Sequence, residues 1–147
     1  MMTFIIKRED GGVSVGQMID DADLDDIVKK WNETAPSKSI YHQLEDRFPN
    51  DDNSYFFDVY DHSKDLGVFI NMDKAKIFHV NKLRDIRAKK FIDLGFPNKL
   101  NQQLEDAIVD SDTKAKLKEL RDFPQKLDLS KVTDPDVLRN IIPDCLK

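Results

Sequence analysis

The chain has 147 residues, 39% hydrophobic and 35% charged, with nine Phe and a single Cys, and a net charge of −5 at neutral pH. This is long enough to bury a real core in one domain, or in a small domain with an appendage, and too rich in Phe for a disordered chain. No apolar run nears the ~20 residues that a membrane-spanning helix needs, and the acidic balance argues against a general DNA-binding role, which depends on neutralising phosphates.

The chain opens with "MMTFIIKRED", whose few apolar residues lack a basic leader and meet charges at once, so we expect a strand and no signal peptide. In "TFIIKREDGGVSVGQMI" two β-branched runs flank Asp10-Gly11-Gly12, and a Gly pair supplies the positive φ that a tight hairpin turn requires. Next, "DADLDDIVKKWNETAP" sets Leu24, Ile27, Val28 and Trp31 at helical spacing, with acids crowding the first turn as the helix dipole favours. Pro36 should end that helix. From Ser39 to Ile70, aromatic clusters alternate with Pro, Asn, Asp and Gly, the pattern of short strands joined by turns.

From Met72 the period changes. Ile77, Val80, Leu83, Ile86, Phe91 and Leu94 make a helical stripe, Gly95 stands where a C-terminal cap belongs, and Pro97 prevents continuation. Asn98 is a good N-cap for a helix with Leu100, Leu104, Ala107 and Ile108 on one face. Ser111-Asp112 interrupts and can cap another helix that turns Leu117 and Leu120 inward. Thr133-Asp134-Pro135-Asp136 starts a last short helix, expected to reach Ile142, with Pro at a tolerated early position. The expected class is α+β: a β-rich region with one helix over residues 1–71 and a helical region of connected hairpins over 72–147.

Charge divides along the same line. Residues 1–71 hold seven Lys/Arg against fifteen Asp/Glu, and residues 72–147 hold sixteen against thirteen, net charges of −8 and +3. Such polarity can serve packing within the chain or head-to-tail contact between copies. Residues 72–94 carry seven basic and three acidic residues, so that an acidic chain bears one basic helix. A solvated face, a surface for docking protein, and a nucleic-acid contact are the three readings of it. The last is disfavoured by the overall charge and by the lack of an interleaved aromatic platform.

No pattern of catalysis stands out. His42, His62 and His79 are scattered and fit no common metal spacing, and "NDDNS" and "DADLDD" lack the alternating ligands, central Gly and terminal Glu of a calcium loop. Neither a phosphate-cradling Gly-rich loop nor a GxSxG element is present. Cys145 has no His near it in sequence and reads as a bystander thiol. For an enzyme, Glu45, Asp46, Asp51 and Asp52 would be the one plausible carboxylate cluster. No metal and no cofactor are expected.

The order of the motifs resembles a family of small proteins encoded by tailed bacteriophages and prophages, commonly near tail-fibre genes. The resemblance rests on "KREDGGVSV" (7–15), on "DRFPNDDNSYFFDVY" (46–60), on "NMDKAKIFHVNKLRDIR" (71–87) and on "KELRDFPQKLDLSKVTDPDVLRNIIP" (118–143). It spans nearly the whole chain and is strongest from Asn71 to Pro143. The middle motif departs from the family, with Tyr55, Phe56, Phe57 and Tyr60 in place of an Arg-plus-Trp pair. The resemblance implies no catalytic residues. It implies a non-enzymatic protein of the virion tail region, or a tail or tail-fibre assembly factor, located in the virion or the host cytoplasm. Expected partners are tail, fibre or portal proteins, with self-association possible in principle and no membrane. Lys82, Arg84, Arg87, Lys89, Lys90, Phe91 and Phe96 are then the candidate contacts. The alternative is a small acidic phage inhibitor of a host enzyme or defence protein, using "DADLDD" and "NDDNS" to imitate nucleic-acid charge.

Overall fold

The computed structural model describes residues 1–95 and 111–147. Strands fill the N-terminal part and helices most of the rest, an α+β arrangement that divides into two compact units, Met1–Ala75 and Lys76–Lys147. The helix expected to start at Asn98 and the candidate contact Phe96 lie outside the described residues.

In the first unit, β1 (Met2–Arg8) and β2 (Val13–Met18) form the expected antiparallel hairpin, and β3 (Ser39–Leu44) pairs with the other edge of β1 to give the order β2-β1-β3. The turn works as its sequence suggests: Gly11 has φ +84, and the Asp10 carboxylate accepts from the Gly12 N–H at 2.9 Å. Alternation along β1 sends Phe4 and Ile6 to one face. There they meet Met18 and Val28, with Leu24, Ile27 and Trp31 packed around them, all but Met18 from helix α1 (Leu24–Thr34). Asp23 caps that helix through the Asp25 N–H, and Ala35 turns extended before Pro36. Gly16 is opposite Phe4 in the hairpin, and a Cβ built there would stand 2.4 Å from the Phe4 ring. The glycine is therefore the floor on which the ring lies.

A second antiparallel pair, β4 (Tyr60–Ser63) and β5 (Gly67–Ile70), completes the strands of this unit. The link from β3 to β4 contains Asn53 and Ser54, both at positive φ (+57 and +52). Asp51 secures it by accepting from the Phe56 N–H at 2.7 Å and the Tyr60 hydroxyl at 3.0 Å.

Helix α2 (Met72–Asp93) begins at the end of the first unit, with Asn71 accepting from the Lys74 N–H at 3.2 Å, and stops at Gly95, φ +88. The body of α2 joins α3 (Ser111–Lys126) and α4 (Pro135–Arg139) in the second unit. Its core is Leu83 and Phe91 of α2, Leu117, Leu120 and Phe123 of α3, and Leu146 from a closing 3-10 turn at Asp144–Leu146. Helix α4 starts at its Asp134 cap as expected but ends at Arg139, with Asn140 as its C-cap, and Ile142, which precedes Pro143 and is steered away from helix, lies beyond it. A surface groove of about 520 Å³ borders α3 and the C-terminal segment, lined by Phe123, Leu127, Ile141, Ile142 and Pro143 with Cys145.

The stripe expected on α2 needs one correction. Ile77 is 66% exposed, and the buried column steps by four through Ala75, His79 and Leu83. Two residues away from both neighbours, Ile77 falls on the opposite side. His79 takes the inward place because its Nε2–H finds the Ile141 carbonyl at 2.8 Å, which satisfies a buried polar group.

Candidate functional site

The seven candidate contacts were expected on one basic stretch, and helical geometry spreads the six described ones around α2. Lys82 and Lys89 are exposed, two turns apart on one flank. Arg84 is exposed on the opposite flank and donates to the Asn81 side chain at 3.2 Å. Between the flanks, the spacing of 77, 88 and 92 lines up Ile77, Ala88 and Ile92, all exposed, Ile92 to 56%. Arg87 and Lys90 lie at the inner margin. The guanidinium of Arg87 sits over the Phe123 ring at 5.5 Å and the Phe91 ring at 6.0 Å, and burial, with Arg84 nearby, lowers its pKa. Lys90 donates to the Lys147 carbonyl at 3.0 Å. Phe91 is only 7% exposed and belongs to the helical core, so it cannot also present its ring to a partner.

Lys74, at the start of this helix, pairs with Asp61, but the cations further along have no such partner among the described residues. Among the described residues, Lys82, Arg84, Arg87 and Lys89 form no ion pair with an Asp or Glu, whereas Lys7, Arg8, Arg47, Arg121, Arg139 and Lys147 all do. Asp85 and Asp93 are on the same helix and exposed, but neither closes on these cations. The result is a ridge on which Ile77, Ala88 and Ile92, with Asn81 and Asp85 among them, lie between cationic flanks, suited to an acidic protein surface with some apolar area.

The first unit holds a polar constellation that sequence reasoning did not find. Glu45, directly after β3, is buried, and its carboxylate accepts from Arg47 Nε at 2.8 Å and Nη2 at 3.0 Å, from the Arg47 N–H at 3.0 Å, and from His62 Nε2 at 2.9 Å. The Arg47 guanidinium, helped by His62, holds the Glu45 carboxyl far below its ordinary value of 4.5 although burial opposes this. Since Glu45 is ionised, His62 donates to it through Nε2, and the other ring nitrogen, Nδ1, lies 2.8 Å from the Tyr41 hydroxyl. Arg47 also donates to the Asp65 and Lys64 carbonyls, at 3.0 and 3.2 Å, and so pins the turn between β4 and β5. A Tyr–His–Glu row has the members of a proton relay. Here its His side chain is fully buried and its Glu is already committed to a guanidinium, and the arrangement ties β3 to the β4–β5 hairpin.

Two of the four carboxylates considered for an enzyme are used in the fold. Glu45 serves Arg47 and His62, Asp51 holds the strained link, and Asp46 and Asp52 are exposed. No group of three or more His, Cys, Asp or Glu that could hold a metal occurs among the described residues. Asp61 forms another tie: Lys7 bonds to it, Asn71 donates to it at 3.3 Å, and Lys74 lies 3.7 Å away, while both lysines also donate to the Gly11 carbonyl. His42 meets Asp25 at 2.6 Å, and the partly buried Cys145 has its thiol pKa pushed up by burial, which favours the unreactive thiol form. No helix among the described residues is long and apolar enough to cross a membrane.

No family model, no curated protein and no solved structure matches this chain.

Proposed function

We propose that this chain is a non-enzymatic bacteriophage protein that binds other phage proteins, as a minor component of the virion tail region or as an assembly factor for tail or tail-fibre subunits. The observation that carries the binding role is the outer face of α2, where Lys82, Arg84 and Lys89 flank Ile77 and Ile92 with no carboxylate partner among the described residues. Uncompensated charge of this kind speeds encounter with an acidic partner and sets orientation, and the exposed Ile77 and Ile92 supply area to bury. The phage context comes from the resemblance in motif order, and it makes the virion or the host cytoplasm the place of action. A pull-down of the tagged chain from infected cells, washed at rising salt, tests both parts. Tail, fibre or portal subunits should be retained and should be lost as salt screens the α2 contact; their absence at every salt concentration overturns the proposal.

One feature favours a second reading. Five Asp fall within residues 20–26, and all five are exposed, so the corner before α1 presents the spaced negative charge of a nucleic-acid mimic. Recovery of a single host enzyme or defence protein, without phage components, would make the chain an inhibitor.

A further inference from the structure

The two units carry charge of opposite sign. Met1–Ala75 has eight Lys/Arg against sixteen Asp/Glu and Lys76–Lys147 has fifteen against twelve, so each net charge keeps the sign read from the sequence halves. Both charges are concentrated on surfaces that also expose aliphatic side chains. On α2, Ile77 and Ile92 lie between Lys82 and Lys89 on one flank and Arg84 on the other. Before α1, Asp20, Asp21, Asp23, Asp25 and Asp26 follow Ile19, which is 62% exposed. Among the described residues the only ammonium partner of those five carboxylates is the N-terminus, on Asp20, and the only imidazole partner is His42, on Asp25. Each surface therefore offers what the other needs, an uncompensated charge beside an uncovered aliphatic side chain. A polyanion such as nucleic acid would satisfy α2 alone and be repelled by the strongly acidic first unit.

We propose that the outer face of α2 in one copy docks on the acidic corner between β2 and α1 of a second copy. The contact is heterologous: each pairing leaves one α2 face and one corner unused, so copies add head to tail until a ring closes or the chain of copies ends. This inference goes beyond the phage reading and does not depend on it, since no phage component takes part.

Sedimentation velocity of the purified full chain, from micromolar to submillimolar concentration, tests it at about 0.03 M and about 1 M salt, where the screening length falls to about 3 Å. At low salt the average mass should climb with concentration, and at high salt the apparent Kd should weaken by about tenfold or more. Two charge-reversed variants sharpen the test, Lys82→Glu with Lys89→Glu, and Asp21→Lys with Asp26→Lys. All four residues are exposed, so both proteins should keep the wild-type circular dichroism and melting transition. Each variant alone should stay monomeric, because reversal makes the α2 face net negative in one and removes most of the charge of the acidic corner in the other, and an equimolar mixture, which brings an unaltered α2 face to an unaltered corner, should associate again. A monomeric wild-type chain at low salt, association that survives either reversal or high salt, or a mixture that stays monomeric would each overturn the proposal. A monomeric chain that still retains tail subunits in the pull-down would overturn self-docking and leave the proposed function standing.

Discussion

Gly16 shows how much one missing side chain can decide. Its hydrogen makes room for the Phe4 ring, which is buried among Met18 and Val28 and so has nowhere to go. Gly16→Ala should cost about 1–3 kcal/mol in urea unfolding through overpacking, and a smaller residue at Phe4 should recover part of it. Glu45 is the other telling residue. Its folded-state carboxyl titrates well below the unfolded value of 4.5, so the stabilisation is fully present above that value and drains away as pH falls below it. Glu45→Gln should therefore lower stability at pH 7 by about 1–3 kcal/mol and flatten the acid limb of the stability curve. An acid limb as steep in the variant as in the wild type would show that other carboxylates drive acid unfolding. The sequence gives no local sign of this site, because Glu45 and His62 are seventeen positions apart and meet only when β3 and β4 come together.

At the scale of the element, the phase of α2 is the informative case. Both length and ends were legible: Asn71 and Lys74 form the first turn, Gly95 closes the last, and the apolar content marks a packed helix. The inward side was legible only in part, since Ile77 is the stronger apolar residue and His79 is the buried one. Leu83→Ala should cost about 2–5 kcal/mol, and Ile77→Ala should change stability by about 0.5 kcal/mol or less. Equal losses at the two positions, measured by denaturant unfolding, would contradict the observed phase. The same geometry explains why a run of bases so compact in sequence does not form a single patch. At 3.6 residues per turn it is distributed over two outer flanks and an inner margin, where Arg87 covers Phe91 and Phe123 instead of facing outward.

At the scale of the whole molecule, two units with separate cores imply separate responses to damage. Leu117 is fully buried in the helical core, and Leu117→Ala should speed hydrogen exchange in α3 and in the body of α2. Protection of β1, β2 and β3 should change little, and a uniform loss of protection across both units would show that they unfold as one.

The α+β class, the first hairpin, α1 and the starts of α2 and α4 were set by local chemistry alone. Turn glycines, Asp caps, proline stops and the change of hydrophobic period act over a few residues, so they can be read without knowing the fold. Tertiary structure decided which polar groups go inside. His62, His79 and Glu45 are polar by composition and carry no local mark of burial, yet each is buried because a distant group satisfies it. It also moved Phe91 from the list of contacts to the core, and left Lys82, Arg84 and Lys89 outside without a counter-charge among the described residues. The physical reason is the same in both directions: a side chain's periodicity is local, whereas its solvation depends on neighbours that only the folded chain brings near.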